Sequence, residues 1–361
     1  QHSAPHAIYV QPPASPMPHS DPLPMAHAFR NTRLSIILDL GSHNPEPGSG
    51  AHMGICEKIL AFLKLLIAAN AEIASFLVLT FNAVPIFDFD TQRSNVAPAV
   101  SSIGSIAHGM LRVFKSEVAL GPIAWSMDLP AMHEVNGELA SGLILEELLG
   151  RIAGNVRDGL VAYRFLKQGQ TAPERLTQVL QPMTRLAPQP VFLGVAVIAG
   201  MGRVAIDLAD GLVGAGIDSI VFLGRRDPNS HSVSLPLFLS CHSSHEINQV
   251  HQQFVQMEPR LRCKASYHQV DITNSVQLEA ALKAIHVEHG SIRHLIHTAA
   301  VVRDASIANV SPALFEEVLQ PKVRGAWNLH QISQRLSLTL NTFVMLSSTK
   351  CVSLPIRPRR V

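Results

Sequence analysis

Apolar residues along this chain gather into short continuous runs that alternate with stretches of helical period, and the alternation occurs twice. In the first half, positions 34–40 (LSIILDL), 74–81 (ASFLVLTF), 122–129 and 159–165 (GLVAYRF) read as buried strands. Between them, 54–70 places Ile55, Ile59, Phe62, Leu63, Leu66 and Ile67 on one helical face. Positions 100–117 read as a second helix, and 141–152 as a third with Leu143, Leu145, Leu148 and Leu149 inward. In the second half, 195–198 is a strand and Gly200-Met201-Gly202 breaks it. A helix follows through Val204, Ala205, Leu208 and Leu212 and ends at Gly214-Ala215-Gly216. Positions 219–223 form the next strand, closed by Gly224-Arg225-Arg226. Strands at 265–271, 294–300 and 340–348 and helices at 245–257, 275–289, 312–319 and 323–336 complete the pattern; 233–241 is ambiguous. Residues 1–28 show no periodicity and read as a linker or tail. The four prolines of 172–190 mark a boundary, giving domains at 29–187 and 188–361.

The unit at 191–226 is a βαβ with a glycine-rich first turn and arginines after its second strand. That layout suits a dinucleotide, with its pyrophosphate on the helix N-terminus and a 2′-phosphate against Arg225. The first half has no glycine-rich turn after any strand, so it reads as a nucleotide-type fold that cannot hold a nucleotide.

Composition narrows the function classes. With 47% hydrophobic and 16% charged residues, the chain of 361 is globular. A formal charge of only +2 gives no support for nucleic acid or an acidic membrane surface as partner. The apolar stretch 73–87 is shorter than the about 20 residues a membrane span needs, and the N-terminus shows no signal-peptide core. Cys56, Cys241, Cys263 and Cys351 lack paired or zinc spacing and suit a reducing, cytoplasmic setting. The irregular scatter of His2, His6, His19, His27, His43 and His52 reads as solvated chain, and no metal site is expected.

Several motifs resemble one family, the ketoreductase domain of polyketide synthases in the short-chain dehydrogenase/reductase superfamily. Asp271-Ile272-Thr273 is similar to its D-V-T beside the adenine. His297-Thr298-Ala299-Ala300 with Val301-Val302-Arg303-Asp304 resembles H-A-A-G-V-x-x-D. The stretch from Pro321 to His330 (PKVRGAWNLH) resembles P-K-V-x-G-A-x-N-L-H, and Phe343 to Ser348 (FVMLSS) resembles F-V-L-F-S-S. In the first half, 109–130 and 159–165 resemble segments of the same family's structural subdomain. The resemblance implies an α/β fold of two Rossmann-like subdomains, parallel sheets flanked by helices, the first structural and the second binding NADP.

It also implies NADPH-dependent reduction of a β-ketoacyl group carried by the phosphopantetheine of an acyl carrier protein, beside other polyketide synthase domains. Lys322 matches the catalytic lysine and Ser348 the catalytic serine. The cofactor residues implied are Gly200, Gly202, Arg203, Arg225, Asp271, Ile272, Thr298 and Ala299. Two registers fit the superfamily's T-G-x-x-x-G-x-G. Without gaps, Ile198, Ala199, Arg203 and Ala205 take the T, G, G and G places; with a small insertion, Gly200-Met201-Gly202 becomes the final G-x-G and Val195-Ala196 the Thr-Gly. The second is preferred because it restores close backbone approach to the pyrophosphate. Val302-Arg303-Asp304 differs from the L-D-D of one stereochemical type, and hydroxyl configuration stays open. The family's proton-donating Tyr and its Asn lie beyond the serine in Y-x-x-x-N, and residues 349–361 contain neither. The expectation is a C-terminally truncated ketoreductase region with impaired turnover. The alternative is a non-catalytic scaffold that at most binds nucleotide.

Overall fold

The computed structural model describes residues 6–10, 33–40, 51–84, 87–88, 93–94, 102–120, 123–154, 159–165, 170–177, 192–225 and 264–347. The expected helix at 245–257, the ambiguous 233–241, Arg226 and Ser348 lie outside them. The chain divides into two units. One comprises Gln1–Pro182, Asp304–Pro312 and Thr349–Val361, and the other Met183–Arg303 and Ala313–Ser348.

The first unit contains β1 (His6–Val10), β2 (Arg33–Asp39), α1 (Ala51–Ala68), β3 (Glu72–Phe81), the short pair β4 (Phe87–Asp88) and β5 (Arg93–Ser94), α2 (Ser102–Glu117), β6 (Ala124–Leu129), α3 (Gly137–Ile152), β7 (Leu160–Arg164) and β8 (Glu174–Thr177). Its main sheet runs β1-β2-β3-β6-β7-β8, parallel except for the final β7–β8 pair. Strand β3 is buried on both faces, as a central parallel strand must be. Leu77 and Leu79 pack with Trp125, Met127 and Leu143, while Phe76 meets the rings of Phe62 and Phe114 edge-on at 6.4 and 5.8 Å. Cys56 is one of the buried core residues, and burial pushes its thiol up to about 11, which keeps it protonated and inert.

Two expectations need correction here. His6–Val10 is a strand paired in parallel with β2, from His6 against Leu34 to Val10 against Leu38, inside the stretch expected to be a tail. Its five residues (HAIYV) carry β-formers, but proline and histidine on both sides mask them. Strand β8 lies inside the proline-rich stretch 172–190, and the division between the two units, after Pro182, falls within the same stretch. In α3, Leu145 and Leu149 are 55% and 56% exposed. At 100° per residue they sit about 160° and about 120° from Leu143 and fall off its face. Glu147 turns inward instead, bonded to Tyr163 Oη at 3.1 Å and ion-paired with Arg175 and Arg151.

The second unit contains β9 (Val195–Ala199), α4 (Arg203–Gly214), β10 (Ser219–Gly224), β11 (Lys264–Gln269), α5 (Ser275–His289), β12 (Ile292–His297), α6 (Pro312–Leu319), a π-helical turn (Gln320–Arg324), α7 (Gly325–Arg335) and β13 (Thr342–Met345). All its strands are parallel, in the order β11-β10-β9-β12-β13. Alternate residues of β9 feed two cores. Val195, Val197 and Ala199 pack with Leu278, Leu282 and Ile285 of α5 and with Leu329 and Ile332 of α7. Ala196 and Ile198 pack with Ala205, Ile206 and Ala209 of α4. Helices therefore cover both faces, as an all-parallel sheet requires. The chain starts in the middle of this sheet, builds outward through β10 and β11, then reverses to β12 on the other side of β9. That reversal opens a crevice beyond the carboxyl ends of β9 and β12, where ligands of open α/β sheets bind.

Candidate nucleotide site

The crevice is built from the glycine turn after β9. Gly200 has φ +117°, a region L side chains avoid, and its N–H donates to Leu223 O at 2.8 Å. A Cβ there would lie 2.4 Å from Thr298 Oγ1 and 2.7 Å from Ala299 N. Thr298 answers from β12's side: its N–H and hydroxyl donate to Ala199 O at 2.8 and 3.1 Å. Gly200, Thr298 and Ala299 thus join the ends of β9 and β12 at the reversal.

Gly202 is the N-cap of α4, at φ −102° and ψ 175°, with no side chain capping the helix. An added Cβ at Gly202 would meet nothing within 4 Å. Arg203 is the first helical residue and is exposed. The uncapped end carries the positive pole of the helix dipole.

Strand β9 runs to Ala199, and Val195 and Ala196 lie inside it, paired with Ser219 and Ile220. They cannot supply a turn, which counts against the preferred register; in the register without gaps the Thr-Gly places fall on Ile198 and Ala199, the last two residues of the strand, next to the turn. In that register Arg203 stands where a glycine would, and Ala205, fully buried against the sheet, takes the last glycine's place in helix–strand packing.

Arg225 follows β10 and is exposed; its carbonyl accepts from Gln269 Nε2 at 3.2 Å. After β11, Asp271 folds its loop: Oδ1 accepts from Thr273 N at 2.9 Å and Thr273 Oγ1 at 2.8 Å. Ile272 is buried in the core. Asn328 of α7 donates to Ile272 O at 2.9 Å and Thr273 O at 3.0 Å, fixing this loop from below. A Cβ on Gly325 would sit 2.5 Å from Ile272 Cδ1, so the close approach of α7 needs glycine there.

Lys322 is exposed on the π-helical turn. His297, buried at the end of β12, lies 2.9 Å from the carbonyl of Pro321. A carbonyl only accepts, so Nε2 is the donor and holds the turn that carries Lys322. Sequence reasoning quoted His297 as motif without assigning it this contact; the signal was its place two residues before the crevice's Ala299. Ser347, exposed beyond β13, is the last described residue, and Ser348 follows it. Tyr163 lies in the first unit, its hydroxyl raised out of range of acid–base work by burial and by Glu147. A groove of about 250 Å³ between α7 and β13, lined by His330, Ser333, Gln334 and Phe343, contains none of the expected site residues. Among the described residues no helix is long and apolar enough to cross a membrane.

Residues 194–354 match the family model described as the KR domain. The chain is 28% identical over 198 residues to 6-methylsalicylic acid synthase of Aspergillus niger, covering 54% of this chain and 10% of that protein. It is 30% identical over 173 residues to highly reducing polyketide synthase dmxL2 of a Cryptosporiopsis species, covering 47% of this chain and 6% of that protein. The chain therefore spans a tenth or less of these relatives. The ketoreductase from the first module of phoslactomycin biosynthesis in a Streptomyces species superposes with a TM-score of 0.57 at 21% identity, over 88% of this chain and 61% of that one.

Proposed function

From the premise that this chain belongs to the ketoreductase family of polyketide synthases, within the short-chain dehydrogenase/reductase superfamily, we propose that it serves reduction of a β-ketoacyl group to a β-hydroxyacyl group, with NADPH as the reductant and an acyl carrier protein presenting the substrate. Enzymes of this superfamily depend on nicotinamide cofactors; the choice of NADPH is our inference. One observation carries it: Gly200, Gly202, Thr298 and Ala299 follow the carboxyl ends of the adjacent strands β9 and β12, where strand order reverses, and the Asp271 loop follows the carboxyl end of β11 on the same edge of the sheet.

The residues present fit a dinucleotide. The open helix end at Gly202 and Arg203 offers unpaired N–H groups and a cation to a pyrophosphate. Arg225 offers a guanidinium to a 2′-phosphate, and the Asp271–Thr273 loop forms a wall for adenine. When bound, the nicotinamide supplies hydride to the keto carbon. Lys322, held by His297 through Pro321, places a positive charge near the oxygen on which negative charge develops. Ser348 donates a hydrogen bond to the same oxygen. Other polyketide synthase domains are proposed as partners, in a cytoplasmic setting.

A second reading is favoured by Arg203 at the helix start, where a glycine would let the backbone approach closer. In it, the unit is a scaffold that binds nucleotide and does not turn over. Titration with NADPH by fluorescence, followed by a trans-1-decalone reduction assay, separates the readings. Binding with turnover upholds the first, and binding without turnover the second. Absence of binding overturns the nucleotide site in both.

A further inference from the structure

Three metal-capable side chains meet at a corner of the second unit that ketone reduction does not use. His268 lies near the end of β11, and Glu288 and His289 are the last residues of α5. One ligand atom from each lies within 4.8 Å of the other two. The His289 side chain is 6% exposed, and its Nε2 is 3.5 Å from Glu288 Oε1. Its Nδ1 lies 3.0 Å from Ser219 Oγ and its Nε2 3.0 Å from Ser266 Oγ. Ser266 and His268 are two residues apart on one strand and share a face. The ring is therefore fixed at Nδ1 by a hydroxyl, while Nε2 faces a carboxylate and a hydroxyl, and the His268 imidazole has a nitrogen within 4.8 Å of one of the ring's nitrogens. Metal-ligating histidines are held in this way, one nitrogen oriented by an outer partner and the other turned to the ion.

We propose that His268, Glu288 and His289 bind a divalent transition-metal ion of the Zn²⁺ or Ni²⁺ type through two imidazole nitrogens and one carboxylate oxygen. Magnesium and calcium prefer all-oxygen shells, so the donor set selects against them. Bonds of about 2.0–2.2 Å in a tetrahedral shell place ligands about 3.3–3.6 Å apart. The Glu288–His289 separation already meets that spacing, and the sides to His268, at most 4.8 Å, would have to close by about 1 Å on binding. Water or Ser266 Oγ completes the shell. The site lies at the C-terminal end of α5, where the helix dipole favours a cation. A bound ion would clasp β11, the outermost described strand of its sheet, to α5. Ligands 20 residues apart in sequence match no short zinc motif, so the sequence carried no signal for them.

The test uses the metal-free full chain, Zn²⁺ with a competing indicator dye, and thermal unfolding with and without Zn²⁺. The wild type is expected to bind one equivalent more than His268→Ala or Glu288→Gln, at micromolar concentration. At a hundredfold excess over Kd its melting temperature should rise by about 5 °C or more, a shift both variants lose. These variants leave the His289–serine contacts in place, so folding is retained, whereas His289→Ala would remove those contacts as well. Zinc held by histidines elsewhere, His2 and His6 among them, is common to all the proteins and cancels in the comparison. Equal stoichiometry and equal melting shifts across wild type and both variants would overturn the site and leave His289 as a structural imidazole between two hydroxyls. The outcome does not bear on ketone reduction, which none of these residues serves.

Discussion

Arg225 and Gly200 bear on the cofactor in different ways, one by charge and one by shape. Arg225 stands exposed at the end of β10, where the second strand of a dinucleotide fold meets the adenosine ribose. A charge-assisted bond to a 2′-phosphate is worth about 1.5–3 kcal/mol. Arg225→Ala is therefore expected to weaken NADPH binding by about tenfold or more and to leave NADH unchanged, measured by paired fluorescence titrations. A protein that keeps its preference after this change reads the phosphate elsewhere. Gly200 has no cationic role, yet its substitution should cost more. Its φ of +117° strains any L residue, and the new methyl would press on Thr298 and the backbone of Ala299. Strain of this kind costs about 1–3 kcal/mol. Gly200→Ala should lower stability by that amount in urea unfolding, and it should also weaken NADPH binding as the ends of β9 and β12 part. Gly202→Ala, with open space at its Cβ, is the contrasting control and should leave stability nearly unchanged.

At the scale of elements, the π-helical turn is what links the fold to the proposed chemistry. Its local sequence (QPKVR) gives no sign of i→i+5 bonding, which is why a continuous helix from 323 was expected. The turn is fixed from outside, by the bond from His297 to the carbonyl of Pro321. Removing that donor strands a buried carbonyl, at a cost of about 1–3 kcal/mol. His297→Ala should lose that stability and weaken NADPH binding several-fold as Lys322 drifts, while His297→Gln, which keeps an N–H donor, should restore most of both. Recovery of stability without recovery of binding would separate His297 from Lys322. The same contrast between local and tertiary causes explains what was legible in the sequence. Strands β3, β9 and β10 are continuous apolar runs with no other stable outcome than burial, and the 275–289 helix was legible to the residue because Asn274 caps it through Val276 N and Gln277 N. Strands β1 and β8, at the two ends of their sheet, are too short for periodicity to register. In α3 residue type does not reveal that Leu145 and Leu149 lie on a different face from Leu143, and in α5 the apolar Val276 is likewise 77% exposed. Of the site, the glycines and Asp271 were legible as motif. The register of the turn and the grip of His297 were not, because both depend on where a distant strand ends.

For the molecule as a whole, the two sheets use the same β/α grammar to different ends. In the first unit, strand order in the main sheet follows the chain without reversal, and no glycine turn opens beyond β3 or β6. The carboxyl ends of β3, β6 and β7 are instead closed by Asp128. Its carboxylate accepts from Thr80 Oγ1 at 2.6 Å and from the N–H groups of Ala83 and Val84 at 2.9 Å, and it pairs with Arg164. A buried anion in the place a phosphate would take makes this end of the sheet unfit for a nucleotide. The cluster extends to His108, whose Nε2 is 3.0 Å from Thr80 Oγ1. Since the Thr80 hydroxyl donates to Asp128, His108 Nε2 must donate to Thr80, and Nδ1, buried with no partner among the described residues, must stay unprotonated. Burial lowers this histidine from its ordinary 6.5 to about 4, with Asp128 opposing the shift and Arg112 adding to it. Between pH 6.5 and 4 the unfolded chain therefore holds a proton that the folded chain refuses, and stability falls as pH falls through that window. At about 1.4 kcal/mol per pH unit the loss approaches about 3 kcal/mol. His294 in the second unit, lowered mainly by its own burial, moves stability in the same direction. The two contributions can be read apart because the chain has two tryptophans, Trp125 in β6 and Trp327 in α7. In a Trp327→Phe background, Trp125 fluorescence during urea unfolding should show the first unit weakening from pH 6.5 to 4, and His108→Gln should flatten that slope by up to about 3 kcal/mol. An unchanged slope would mean that acid acts on this unit through other groups, with the Asp128–Arg164 pair the next to test.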